Sequence, residues 1–282
     1  MTRKGTAVIE HHIQVDNARP IRKPQYRVPY SLREEMKTQI ENMFQNGVIR
    51  ESNFPWAAPA LLVPKRSTDG KPKFRFCVDF RALNSVTKFD TYPLRVFDAA
   101  ISIFHSSKYY SVLDCYSGFW QINIKEEHKE KTGFSVPSGH YEFNRLPVGL
   151  TNRTLSFQRL MDIVLKNLVG TECFFFVDYV IIFSKSAQEH ALRMENVPQR
   201  FDRANLQLHP GKFIFAQPQV NYLGFVLSEQ GVAASPDKIK AVKNYTSPRK
   251  LRTFEHFWAW LRFIENLWTI SPTKPSPFTE VT

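Results

Sequence analysis

Residues Cys173–Ile182 read CFFFVDYVII, and the single acid among them, Asp178, divides two wholly apolar arms. An apolar run of that length bounded by polar residues predicts a pair of strands buried on both faces. An acid at the tip of such a pair needs a reason, and a bound metal ion is one. A second stretch, Tyr109–Ile122, reads YYSVLDCYSGFWQI and also ends a β-branched and aromatic run in a lone acid, Asp114. Two carboxylates at the ends of neighbouring buried strands can share a divalent cation, as phosphoryl-transfer sites do. Either aspartate taken singly is an ordinary turn former or helix cap.

Outward from these two stretches, the 282 residues contain 43% hydrophobic and 14% aromatic side chains, enough for one or two ordinary cores. No run of about 18 apolar residues occurs, and MTRKGTAVIEHH lacks the apolar segment of a signal peptide. An intracellular protein, in cytoplasm or nucleus and without a membrane partner, is expected. Cys77, Cys115 and Cys173 lie far apart in strand-like contexts, which predicts buried thiols rather than a disulfide or zinc site. The net charge of +12 suits a groove that tracks a phosphate backbone.

Residues 1–30, with Pro20, Pro24 and Pro29, read as an extended arm or linker with little regular structure of its own. Ser31–Asn46 reads as a helix in which Ser31 and Glu34 form a capping box, Leu32, Met36, Ile40 and Met43 recur on one face, and Gly47 ends it. Strands at Ala58–Val63 and Lys73–Val78 around a turn at Ser67–Gly70 make a hairpin displaying Lys65, Arg66, Lys71, Lys73 and Arg75. Thr151–Val169 predicts a long helix with Phe157, Leu160, Met161, Val164 and Leu168 as its buried stripe and Gly170 closing it. Ser186 and Glu189 cap a further helix whose interior holds Pro198, at a cost of about 3 kcal/mol unless the axis kinks.

Seven blocks then fall in one order: GVIRESNFPWAAPALLVPKR from Gly47, KFRFCVDFRALN from Lys73, VLDCYSGFWQI from Val112, GHYEFNRLPVGL from Gly139, FQRLMD from Phe157, FVDYVIIFSK from Phe176 and NYLGFVLS from Asn221. Together they resemble the reverse transcriptase domain of gypsy-type long-terminal-repeat retrotransposons, from about residue 21 to about 245. The resemblance implies a right-hand polymerase fold of the α+β class. It implies an extended arm over 1–30, fingers and palm over 31–235, and a partial thumb or connection with a truncated tail over 236–282. The fingers would run over roughly 31–105 with a return near 125–145. No block of a protease or a ribonuclease H occurs beside these.

The resemblance further implies RNA-directed DNA polymerisation, with an RNA or DNA template, its primer and deoxynucleoside triphosphates as partners and Mg2+, or Mn2+, as cofactor. Asp114 and Asp178 match catalytic metal ligands. Arg75, with Lys65 or Lys71, matches the grip on the triphosphate, because departing pyrophosphate gathers negative charge; read without the resemblance, the hairpin is a solvated basic face. Phe119 matches the aromatic that excludes a ribose 2′-hydroxyl, or is core. Val148 and Gly149 fall in the loop under the incoming nucleotide, Tyr222, Leu223 and Gly224 in the hairpin that positions the primer end, and Lys212 at a lysine that protonates pyrophosphate or is merely a solvated loop residue.

Departures from the pattern matter as much. The aromatic-x-Asp-Asp motif reads Phe176, Val177, Asp178, Tyr179, so a phenol stands where its second carboxylate would be, and a phenol does not substitute for a carboxylate. Loss of such a carboxylate costs about 3 kcal/mol or more, roughly a hundredfold in rate, and impaired or absent polymerisation is expected. Arg153, Thr154 and Leu155 stand where relatives carry small residues around a proline, Val148 replaces an aromatic, and FEHFWAWLRFIENLW from Phe254 replaces a small-residue helix hairpin. The alternative is a nucleic-acid-binding module without catalysis, co-opted or decayed.

Overall fold

The computed structural model describes residues 5–16, 18–65, 72–95, 102–236 and 239–240. Arg66, Lys71, the turn at 67–70, the aromatic-rich segment from 254 and the tail after 271 lie outside these residues.

The arm is more than a linker. β1 (Thr6–His11) pairs in parallel with a short strand far along the chain, Ile122 to Ile124, while residues 18–29 carry only an isolated bridge at Arg22. α1 spans Arg33–Gln45 and buries Met36, Ile40 and Met43, the expected stripe. The expected capping box is not formed. Pro29 is extended and its carbonyl accepts from the Leu32 N–H at 3.0 Å, so a 3-10 turn over Tyr30–Leu32 places Ser31 inside the turn instead of at the cap. Gly47 closes the helix at φ +63°, where a side chain would be strained.

β2 (Ile49–Glu51), β3 (Ala58–Lys65) and β4 (Lys73–Val78) follow, then the short α2 (Arg81–Asn84). β5 (Tyr109–Asp114) begins a second sheet, and β6 (Ile122–Ile124) is the partner of β1. β7 (Phe134–Val136) and β8 (Gly139–Phe143) return to the first sheet, ordered β2-β8-β7-β3-β4. Its β3–β7 contact is parallel and its other contacts antiparallel.

α3 covers Arg153–Val164, shorter at both ends than the helix expected over 151–169. Asn152 takes φ +65° before it, and after it Asn167 and Gly170 take left-handed backbone while the Leu168 carbonyl accepts from the N–H groups of Thr171, Glu172 and Cys173. Leu168 is still buried, but on a knot of turns.

β9 (Cys173–Phe176), β10 (Tyr179–Ser184), α4 (Ala187–Arg203) and β11 (Ile214–Gln217) complete the second sheet and its cover. The sheet order is β11-β5-β10-β9, antiparallel throughout. The expected cap holds at α4, where Ser186 Oγ accepts from the Glu189 N–H at 3.2 Å and Glu189 accepts from the Lys185 N–H at 2.9 Å. The helix runs on past Pro198, whose missing N–H leaves one turn unbonded. Buried Val197 and Phe201 beside it supply the packing that offsets that loss. β12 (Gln219–Tyr222), β13 (Phe225–Ser228) and β14 (Gly231–Ala234) form a meander.

The apolar run that opens the sequence reading is explained by two cores. Leu113, Cys173, Phe175, Val180 and Ile182 face the main core with α1, α3 and α4. Tyr110, Val112, Phe174, Ile181 and Phe183 face the opposite way, onto Val220, Tyr222, Phe225 and Leu227 of the meander. The sheet is covered on both faces, so both alternate sets are mostly apolar, and the buried Ser111 and Ser184 hydroxyls are bonded to His190. Cys115 and Cys173 are buried, as expected, whereas Cys77 is only half-buried.

Candidate active site

The two aspartates meet because of the β9–β10 hairpin. Phe176 pairs with Tyr179, leaving Val177 and Asp178 as a two-residue turn, and Val177 is held at φ +53°. On the other side Tyr179 pairs with Asp114, the last residue of β5, and the Cys115 N–H donates to the Asp178 carbonyl at 3.1 Å. Both acids are thereby fixed at one edge of the sheet, as expected. Tyr179, next to Asp178 and paired with Asp114, is 41% exposed. Its carbonyl accepts from the buried Tyr222 hydroxyl at 2.9 Å, which locks the meander to the turn.

Lys212 joins them. It ends a 3-10 turn at Pro210–Lys212 that hangs from β5, since the His209 N–H donates to the Asp114 carbonyl at 2.8 Å. Lys212 Nζ donates to Asp114 Oδ2 at 2.6 Å, and that contact raises the lysine pKa. Sequence reading matched Lys212 to a pyrophosphate donor; here its partner is the nearer carboxylate. Burial pushes the Asp178 carboxyl above the usual range and the Asp114 charge adds to this, while Lys212 and Arg153 pull it down.

Phe119 lies on the 3-10 turn Gly118–Gln121, aimed by its neighbours. Ser117 takes φ +47°, and a Cβ on Gly118 would stand 3.1 Å from the Phe157 ring, so the chain passes close over α3. Gln121 Nε2 donates to the Tyr116 and Gln207 carbonyls at 2.8 and 3.0 Å and pins the turn. Phe119 stacks edge-on against Phe157, and the Arg153 guanidinium lies 4.9 Å over its other contact surface. Phe119 packs on α3 and lines the cleft.

A single cleft of about 780 Å³ brings together Lys65, Arg75, Asp114, Phe119, Val148, Arg153, Asp178 and Lys212. Lys65 and Arg75 come from the β3–β4 hairpin, held to α1 by Gln39, which donates to the Phe74 carbonyl and accepts from the Phe76 N–H. Gly149 supports the wall at φ +104°, where an added Cβ would come within 3.4 Å of the Val78 carbonyl. Asn84 clamps that loop, donating to the Gly149 carbonyl and accepting from the Thr151 N–H, both at 2.8 Å. Tyr222, Leu223 and Gly224 lie on the β12–β13 turn, whose two left-handed residues are Leu223 and Gly224.

Sequence reading missed Asn84, Gln39 and the placing of Arg153 in the cleft. The first two lie inside quoted or adjacent segments but act through contacts 35 to 67 residues away. Arg153 was visible only as a departure.

Among the described residues no group of three or more His, Cys, Asp or Glu side chains could hold a metal ion. The donor set is two carboxylates, one of them bonded to Lys212, and it does not fit a pair of divalent ions.

Residues 63–227 match the family model described as reverse transcriptase (RNA-dependent DNA polymerase). The chain is 36% identical over 250 residues to the retrovirus-related Pol polyprotein from transposon opus of Drosophila melanogaster, covering 88% of this chain and 25% of that protein. It is 36% identical over 255 residues to the polyprotein from transposon gypsy of the same species, covering 89% and 24%. The chain thus spans about a quarter of the length of these curated relatives. Foamy viral protease-reverse transcriptase in complex with RNA/DNA hybrid superposes with a TM-score of 0.78 at 22% identity, covering 96% of this chain and 38% of that one. The form described as dRH in complex with double-stranded DNA gives 0.80 at 22% identity, covering 96% and 49%. The α+β right-hand polymerase fold is the fold of this chain.

Proposed function

This chain belongs to the reverse transcriptase (RNA-dependent DNA polymerase) family, and from that premise we propose that it grips a primer annealed to its template but extends the primer poorly or not at all. One observation carries the reading: across from Asp114, where the family motif has its second aspartate, stands the exposed Tyr179. A phenol there is not a carboxylate and offers the site no second acid on that strand.

The surrounding parts suit the older chemistry. Residues 31–235 serve as fingers and palm after the arm at 1–30, with 236–282 a partial thumb or connection. Arg75 and Lys65 approach a triphosphate from the hairpin, Val148 and Gly149 support the nucleotide, and Phe119 closes against a 2′-hydroxyl. Tyr222, Leu223 and Gly224 hold the primer end. Asp114 and Asp178 are the side chains that would hold Mg2+ or Mn2+, which in such sites neutralises charge developing on the transferring phosphate. With two carboxylates and Lys212 already on one of them, they are too few for two ions, and no step is assigned to a metal. The setting is intracellular, and among the described residues no helix is long and apolar enough to cross a membrane.

A net charge of +12 and the nucleic-acid complexes of the foamy viral proteins support the binding half of the reading. Fluorescence anisotropy of a DNA primer on an RNA template tests it. The affinity should fall by at least about tenfold between 50 and 200 mM salt, as phosphate contacts release counterions. Weak binding that ignores salt would contradict the reading and leave only a protein-binding or structural fragment.

A further inference from the structure

The cleft is cationic before any ligand enters it. Lys65, Arg75, Arg153 and Lys212 line it against two carboxylates, an excess of two positive charges. The two cations on the palm side are placed by the protein itself. Lys212 sits 2.6 Å from Asp114 with its side chain 57% exposed, so its ammonium, with three N–H donors, is bonded to Asp114 and still accessible from the cleft. Arg153 rests 4.9 Å over the Phe119 ring. Stacking uses the face of a guanidinium and leaves its edge donors available, and among the described residues they make no hydrogen bond. Arg153 is also the first residue of α3, whose start has no side-chain cap, so the positive end of that helix lies at the same wall.

A divalent cation entering here would meet Asp114 already bonded to Lys212, and Asp178 beside the charges of Lys212 and Arg153. An anion would meet a planar fork suited to phosphate, an ammonium with spare donors, and two more cations on the hairpin. Resting on the reading of the cleft as a nucleotide site, we propose that it binds a short polyphosphate, such as the triphosphate of a nucleotide, as the bare anion, with Arg153 and Lys212 standing where divalent ions would otherwise bridge protein and phosphate. Binding then needs no metal. Free Mg2+ competes with the protein for the anion instead of recruiting it.

Calorimetric titration with inorganic tripolyphosphate, and separately with a deoxynucleoside triphosphate, tests this on the whole chain in EDTA and in excess Mg2+. Saturable binding in EDTA, not strengthened by Mg2+, is expected. R153Q and K212M should each weaken it about tenfold or more, and K37A, on the far side of α1 from the cleft lining, should leave it unchanged. Binding that requires Mg2+ would overturn the proposal, as would an R153Q chain that binds as well as or better than the parent. So would uptake of a single-stranded oligonucleotide with none of tripolyphosphate. The metal comparison on the parent chain needs no variant, so a misfolded R153Q does not rescue the idea. Template–primer binding by the same preparation separates the failures: with it intact and no tripolyphosphate bound, only this proposal falls; with both lost, the reading of the cleft falls too.

Discussion

Val177 holds the hairpin tip at φ +53° beside Asp178. A β-branched residue there is a steric outlier that costs about 1–2 kcal/mol, and such strain persists where surrounding structure fixes the backbone. Replacing Val177 with Asn, which tolerates left-handed backbone, should raise stability by about 1 kcal/mol, read as a higher urea midpoint at unchanged slope. A lower midpoint would mean that the half-buried valine contributes more by packing than it costs in strain. At this scale the sequence was most legible: Asp114 and Asp178 stand out because lone acids in apolar runs are conspicuous, and Tyr179 because it breaks a motif. The ion pair of Lys212 with Asp114 was not legible, since the two residues are 98 positions apart and nothing local ties them.

Among the described elements, β1 is held by contacts that depend on pH. His11 is buried with Nδ1 2.8 Å from Ser156 Oγ on α3, and the Ile13 N–H donates to His128 Nδ1 at 3.1 Å, which requires that ring nitrogen to be unprotonated. Burial lowers the His11 pKa to about 4, with the charges of His12 and His128 adding to it and Asp90 opposing. Burial likewise lowers His128 to about 4, helped by Lys131 and opposed by Glu127. Both are neutral when folded and take up protons more readily when unfolded. Their contribution is therefore complete above about pH 6.5 and is lost as pH falls towards 4, amounting to about 3 kcal/mol for the nearly inaccessible His11. Hydrogen exchange at Thr6–His11 should accelerate across that window while the β5–β10 ladder stays protected. Equal protection of β1 at pH 7 and pH 4 would contradict this. The periodicity of TAVIEH is too short to announce a strand, and its parallel partner lies more than 100 residues away, so the arm reads as a linker from sequence alone. The ends of α1 and α3 escaped for a related reason: a 3-10 turn after Pro29 and left-handed Asn152 and Asn167 are backbone choices that an apolar stripe does not encode.

Across the whole molecule, the seven ordered blocks were enough for the fold, because each coincides with strands, a helix or the turns that join them. What they could not convey is the balance of charge in the cleft, which depends on four cations brought from three separated segments to two acids. That balance, together with the missing carboxylate, makes the central claim: a polymerase scaffold that grips nucleic acid around a centre with too few acids for metal-assisted transfer. Primer extension on an RNA template, in Mg2+ and then Mn2+, tests it most directly by comparing the protein as it stands with Y179D and with D114N. The account predicts extension at least about a hundredfold faster in Y179D than in the parent, with D114N inactive. Robust extension by the parent, abolished in D114N, would show that two carboxylates suffice and would contradict the account.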